Sequence, residues 1–229
     1  MALTIYFIHT ITGLEKTFDA LTAEYIGGEA KSHHISDESL IRRILAHKGL
    51  THDVRRHFLE NIIAAADAGA DLVQVTCSSV TPVIPCAREM VDIPVFSIDE
   101  PMAQEAVDNY KRIGVMATNP GTLNPSSDLI RSTAVQQEKK VTVQPLLCEG
   151  AYEALLAGEP EEHDQIVRGY FRTLAYDVDV IVLAQASMAR IIDTLGPGEK
   201  SVPVLTSPPL AMEHLAGYVR DTYKPSPRA

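Results

Sequence analysis

Displaced by 108 residues, the chain lies over itself. Ile5-Tyr6-Phe7 falls on Ile113-Gly114-Val115, Thr10 on Thr118 and Gly13 on Gly121. Asp71-Leu72-Val73-Gln74-Val75 falls on Asp179-Val180-Ile181-Val182-Leu183. One residue later in register, Ile93-Pro94-Val95-Phe96 falls on Val202-Pro203-Val204-Leu205. Each match is short, and apolar strands resemble one another. Four matches in one order with a single slip indicate duplication, and with it two similar halves. The alternative is a single sheet whose strands merely look alike. Read as a duplication, the 229 residues divide into a first domain of residues 1–98 plus 206–229 and a second of residues 99–205.

Each half reads as strand and helix in alternation. Short apolar runs predict strands at Leu3–Ile8, Leu72–Val75, Val95–Ile98, Ile113–Met116, Val141–Leu146, Val180–Leu183 and Val202–Leu205. Helical periodicity falls between them, at Glu15–Tyr25, Asp37–Leu45, His52–Ala68, Pro101–Tyr110, Asp128–Ala134, Gln165–Tyr176 and Pro209–Tyr218. A continuous apolar strand such as Leu72–Val75 is the pattern of a parallel strand covered on both faces. This rhythm predicts an α/β protein with parallel sheets.

Composition removes several function classes. A net charge of −10 argues against a general nucleic-acid or anionic-membrane surface. No apolar run reaches the roughly 18 residues of a membrane-spanning helix. The start, Met1 to Thr10, lacks a basic n-region and a small-residue cleavage site, so it reads as a strand and not as a signal peptide. Cys77, Cys86 and Cys148 are too few and too scattered for a disulfide framework, which suits a reducing cytoplasm. His33, His34, His47, His52 and His57 cluster in sequence without an HExxH or a carboxylate–histidine pair, so they read as solvated surface and no metal is expected. There is no GxGxxG after the first strand, no GxxxxGK[ST] and no GxSxG. These absences argue against dinucleotide, P-loop and serine-hydrolase sites. Pro225 and Pro227 predict a disordered tail over Lys224–Ala229.

In open α/β sheets ligands sit beyond the carboxyl ends of the strands. The loops that follow equivalent strands are His9-Thr10, Cys77-Ser78-Ser79, Thr118-Asn119 and Gln185-Ala186-Ser187. Two similar halves are expected to face each other across a cleft, with these loops lining it from both sides. Cys77 follows a buried strand, and Pro82 suits the first turn of a helix capped by a serine or threonine before it. Such a helix start lowers a thiol pKa and holds a carboxylate. Cys77 is therefore the candidate proton acceptor or nucleophile, with Ser78 and Ser79 on substrate oxygens. Cys86 and Cys148 read as inert core thiols. The Thr118–Thr122 turn offers hydroxyls and N–H groups to an oxyanion, with Asn119 and Thr122 among them. His9 ends the first strand, facing the cleft. Under the repeat Cys77 maps onto Gln185, Ser78 onto Ala186 and Ser79 onto Ser187. Gln185 carries no titrating proton, although it can hydrogen-bond a carboxylate or enolate.

At Val75-Thr76-Cys77-Ser78-Ser79, Leu183-Ala184-Gln185-Ala186-Ser187, Ile113-Gly114-Val115-Met116-Ala117-Thr118 and Val202-Pro203-Val204-Leu205-Thr206-Ser207-Pro208 the chain resembles the aspartate/glutamate/hydantoin racemase superfamily. The resemblance implies a two-domain fold with pseudo-twofold symmetry and a site in the cleft between the halves. It implies cofactor-independent chemistry beside a carboxylate, and a homodimer. Two-cysteine members remove the α-proton with one thiol and return it from the opposite face with the other. The first thiol carries over to Cys77. The second motif, Gly-Cys-Thr in the family, falls on Ala184-Gln185-Ala186, so the second catalytic cysteine is absent.

Three functions fit this reading. The first is a racemase, epimerase or isomerase of a small carboxylate or carbonyl compound, with Cys77 as base and a water or His9 as the other acid. The second is a carbon–carbon lyase of the arylmalonate decarboxylase type, which works with one thiol. The third is a non-catalytic protein that binds small carboxylates. A pocket rich in Ser, Thr and Gln suits a neutral or monocarboxylic ligand better than aspartate or glutamate.

Overall fold

The computed structural model of the chain describes residues 2–185, 188–196 and 201–222. Ala186, Ser187 and the tail Lys224–Ala229 lie outside the described residues. The chain divides into two compact units, Met1–Ile98 together with the C-terminal helix from Pro208, and Asp99–Ser207.

The first unit holds a parallel sheet of β1 (Leu3–His9), β2 (Ala30–Ser36), β3 (Leu72–Val75) and β4 (Val95–Ser97), in the order β2-β1-β3-β4. Its helices are α1 (Glu15–Tyr25), α2 (Glu38–His47), α3 (His52–Asp67) and α4 (Ile84–Arg88), with α10 (Ser207–Thr222) returning to it. The alternation of a strand sends neighbours to opposite faces, and two cores result. Leu3, Ile5, Phe7 and Leu72 pack with Phe18 of α1 and Ala211, Met212, Leu215 and Val219 of α10. Ile8, Val73 and Val75 pack with Leu40, Ile44, Phe58 and Ile62 of α2 and α3. Each large side chain so buried contributes about 1.5–3 kcal/mol. Central strands covered on both faces are mostly apolar, which is why β1 and β3 are visible in the sequence even though they bury His9 and Gln74. β2 lies at the sheet edge, with exposed Lys31 and His33 alternating with half-buried neighbours, and carries no apolar run.

The second unit repeats the plan. Its sheet runs β6 (Thr142–Leu147), β5 (Arg112–Ala117), β7 (Val180–Leu183), β8 (Val204–Thr206). Helices α5 (Glu100–Asn109), α6 (Pro120–Gln136), α7 (Ala151–Leu156), α8 (Pro160–Leu174) and α9 (Ile191–Thr194) surround it. The register repeats as well as the order: Ile5 pairs with Leu72, and Ile113 with Val180. So do the bonds at the strand starts. Thr4 N–H donates to Asp71 Oδ2 at 2.7 Å, and Arg112 N–H to Asp179 Oδ2 at 2.8 Å. At the other end Thr76 N–H donates to the Ile8 carbonyl at 3.0 Å and Ala184 N–H to the Met116 carbonyl at 2.9 Å. Two similar α/β halves are thus present, as the self-match predicts. Helix α6 starts at Pro120, eight residues before the sequence expectation of Asp128. Asn119 occupies the N-cap and Pro120 the first helical position, where the missing N–H costs nothing.

Candidate functional site

In the first unit, Cys77 follows β3 in extended conformation and is half-buried. The backbone turns helical at Ser78, so Cys77 itself sits at the capping position of a 3₁₀ segment, Ser78–Val83. This corrects the sequence expectation, in which Pro82 opened the helix; Pro82 lies inside the 3₁₀ segment, and the α-helical part, α4, is one short turn. A full helix dipole therefore does not stand behind the thiol. Ser78, Ser79 and Thr81 are buried beside it, and Thr81 shares a hydrogen bond with Ser97 Oγ at 3.2 Å. Cys148 is fully buried, and burial pushes its thiol up to about 12. Cys86 is exposed on α4, not in a core as its sequence position suggested.

Carboxylates pin the adjoining loop after β1. Glu38 accepts from the Thr12 hydroxyl at 2.6 Å, and Glu15 from Gly13 N–H at 2.9 Å and Ser36 Oγ at 2.6 Å. These bonds hold both carboxyls below the usual range, led by the Thr12 hydroxyl for Glu38 and the Ser36 hydroxyl for Glu15. Their role was invisible in the sequence, where each reads as a charge in a first helical turn. Thr10 is buried in the same loop.

His9 does not project from the strand end as a ligand group. Its ring is fully buried, near-parallel to Phe7 and His34 and tilted against Phe18. Nδ1 lies 2.7 Å from Thr76 Oγ1 and Nε2 lies 2.9 Å from His34 Nδ1. Burial, with His34 second, lowers its pKa to about 4. His34 consequently departs from the solvated-surface expectation, as does His57, which contacts Asp37 at 3.2 Å and Arg43 at 2.6 Å. His33, His47 and His52 are exposed.

In the second unit, Thr118 and Asn119 follow β5 and are buried, as is Thr122 in the first turn of α6. Thr122 Oγ1 donates to Asn119 Oδ1 at 3.3 Å. Gln185 follows β7, and its Oε1 accepts from Thr118 N–H at 2.6 Å and Thr118 Oγ1 at 3.0 Å. The structure thus joins Thr118 to Gln185 directly, at the places equivalent to Thr10 and Cys77. Among the described residues, no three His, Cys, Asp or Glu side chains gather as metal ligands, and no helix is long and apolar enough to cross a membrane.

Known proteins share this architecture. Glutamate racemase RacE1 from Bacillus anthracis is 16% identical, with a TM-score of 0.76 over 97% of this chain and 83% of that one. Allantoin racemase from Klebsiella pneumoniae is 22% identical, with a TM-score of 0.67 over 98% and 91%. Aspartate racemase from Picrophilus torridus is 12% identical, with a TM-score of 0.69 over 96% and 94%. No curated protein matches in sequence. The family model for Asp/Glu/hydantoin racemases matches residues 12–215. With that match spanning both duplicated units, the chain belongs to the Asp/Glu/hydantoin racemase family and is an isomerase.

Proposed function

We propose that this racemase-family enzyme acts, without a cofactor, on the carbon next to a carboxylate or carbonyl of a small molecule, with Cys77 as its acid/base. The observation that carries the reading is the position of Cys77: a half-buried thiol at the carboxyl end of a central strand, followed by buried Ser78 and Ser79. The thiolate takes the α-proton, and the charge spreads onto the carboxylate oxygens as an enediolate. Such a proton is very weakly acidic, so donors aimed at those oxygens must supply the largest share of the rate; a single general base contributes about 10²–10⁴-fold. Ser78, Ser79, Thr10, Asn119 and Gln185 are the donors assigned here, together with Ser187 and Ala186; Thr118 orients the Gln185 amide and Thr122 the Asn119 amide. The solved relatives act on glutamate, aspartate and allantoin by their names; we assign this chain an amino acid or related small carboxylate. We place the enzyme in the cytoplasm, in keeping with its free thiols, and as a homodimer, which sedimentation checks.

One observation favours a second reading. Gln185 stands where Cys77 repeats, so the proton-return group of a two-thiol racemase is missing. A decarboxylase needs only one thiol, to protonate the enediolate from a single face. Solvent deuterium separates the two. An isomerase places deuterium at the α-carbon of recovered substrate; a lyase places it only in product. Cys77→Ala is expected to lower either incorporation at least 100-fold, and full incorporation by this variant would refute the assignment of Cys77.

A further inference from the structure

Four side chains of the first unit form an unbroken hydrogen-bonded chain from solvent to the residue before Cys77. Asp19 Oδ1 on α1 lies 3.1 Å from His34 Nε2, His34 Nδ1 lies 2.9 Å from His9 Nε2, and His9 Nδ1 lies 2.7 Å from Thr76 Oγ1. Exposure falls along the chain, from 56% for the Asp19 side chain to 14% for His34 and 0% for His9. At the inner end the Ile8 carbonyl accepts from Thr76 twice, from its N–H and from its hydroxyl, each at 3.0 Å.

Donor matching leaves this chain one arrangement without an added proton and two with it, one for each imidazole; burial disfavours a charged His9, which leaves two states. A carboxylate only accepts, so His34 Nε2 carries a hydrogen. With one more proton, His34 holds hydrogens on both nitrogens. Its Nδ1–H then donates to His9 Nε2, His9 Nδ1–H donates to Thr76 Oγ1, and the Thr76 hydroxyl donates to Ile8. With one fewer, His34 Nδ1 accepts from His9 Nε2–H, and His9 Nδ1 accepts from a Thr76 hydroxyl turned away from Ile8. His9 is neutral in both and changes tautomer between them. Burial first, and His34 second, lower the His9 pKa to about 4, which disfavours the arrangement with the proton on His9. Among the described residues, the ionisable groups that interact with the pair are Asp19 and, acting on His9, Glu15, both from α1. His33 of β2 stacks instead on Tyr6, α10 brings apolar Ala211, Met212, Leu215 and Val219 to this face, and Cys77 packs on the opposite core.

We propose that Asp19, His34 and His9 form a proton relay in which protonation of His34 sets the direction of the Thr76 hydroxyl and, through it, the hold of β1 on the turn that carries Cys77. The protons come from solvent and return to it. All three are positioning residues, and their effect on the reaction rests on Cys77 being the acid/base.

Two measurements on the full chain test the relay. Long-range ¹H–¹⁵N spectra of the imidazoles, from pH 5 to 9, read tautomers directly. The expected result is a neutral His9 that passes from Nε2–H to Nδ1–H at the pH where His34 gains its proton, with Asp19→Asn moving that pH downward. A His9 that keeps one tautomer while His34 titrates, or that itself becomes an imidazolium in this range, overturns the relay. In a Cys86→Ser background, the rate of Cys77 alkylation by iodoacetamide, divided at each pH by the rate in His34→Asn to remove the thiol's own ionisation, is expected to change at least twofold across the same pH. That step shifts with Asp19→Asn; identical profiles in all three proteins overturn the coupling. The two readings fail separately. Full deuterium incorporation by Cys77→Ala removes the catalytic assignment but not the tautomer switch, whereas a fixed tautomer removes the relay and leaves the Cys77→Ala loss intact.

Discussion

Thr118 donates to Gln185 Oε1 twice, from its backbone N–H at 2.6 Å and from its hydroxyl at 3.0 Å. A backbone N–H has no accepting role, so the oxygen of the amide must face it and the NH₂ group must point away. Gln185 is therefore a fixed donor. At the position equivalent to Cys77 the enzyme carries a group that can steady an oxyanion and cannot move a proton, which makes its two duplicated units chemically unequal.

Gln185→Glu tests this. The carboxylate still satisfies both Thr118 donors, so the melting temperature is expected to stay near wild type. Its second oxygen, however, offers no hydrogen and repels an anionic intermediate. Loss of one such donor lowers kcat/KM by about 10²–10³-fold. With the substrate found by deuterium screening, an unchanged kcat/KM in Gln185→Glu would show that the amide does not meet substrate.

The three thiols are expected to alkylate in different regimes. Cys148, buried with its pKa pushed up to about 12, should be modified only on unfolding. Cys86 is exposed and should react in the native protein. Cys77 should react natively with a rate that substrate suppresses. Peptide mass spectrometry reads all three at once, and native-state labelling of Cys148 would contradict its packing.

The strands that could be read from the sequence are those whose environment leaves least choice. Leu72–Val75 and Val180–Leu183 are buried on both faces, so nearly every position is apolar; the exception, Gln74, spends its amide N–H on the Val75 carbonyl. β2 was illegible because an edge strand with exposed Lys31 and His33 has no such constraint. The start of α6 was hidden by Pro120, Gly121 and Pro125, residues that signal turns unless Asn119 is recognised as the cap. At the site, Cys77 and Gln185 were visible because the duplication aligns them. The tie from Thr118 to Gln185, the carboxylates holding Thr12 and Gly13 and the burial of His34 depend on contacts distant in sequence, which periodicity does not encode.

Gly114 marks where the helix layer presses on the second sheet. A Cβ there would lie 2.6 Å from Leu174 Cδ2, 2.9 Å from Leu174 Cγ and 3.3 Å from Val178 Cγ1. Leu174 is itself buried, so it must shift within the packed layer to admit a methyl group. Gly114→Ala is expected to destabilise by about 1–3 kcal/mol, as overpacking does, and pairing it with Leu174→Ala should recover part of the loss. Equal midpoints for wild type and Gly114→Ala in urea would disprove the contact.

His9 gives the fold a defined acid sensitivity. Its pKa falls from 6.5 in the unfolded chain to about 4 in the folded one, chiefly because the ring is buried. Above pH 6.5 neither state binds the proton and the group contributes nothing to the pH dependence. Between 6.5 and 4 the unfolded chain is protonated and the folded chain is not, so stability falls as pH falls. Below 4 both are protonated and the effect levels off. A shift of this size corresponds to about 3 kcal/mol across the window. Urea unfolding followed from pH 7.5 to 4 should show this slope in wild type, and a shallower one in His9→Gln, which starts from a lower stability because Thr76 and His34 lose a partner. Parallel curves would mean that His9 takes up its proton without unfolding, and would place the acid sensitivity of the enzyme elsewhere.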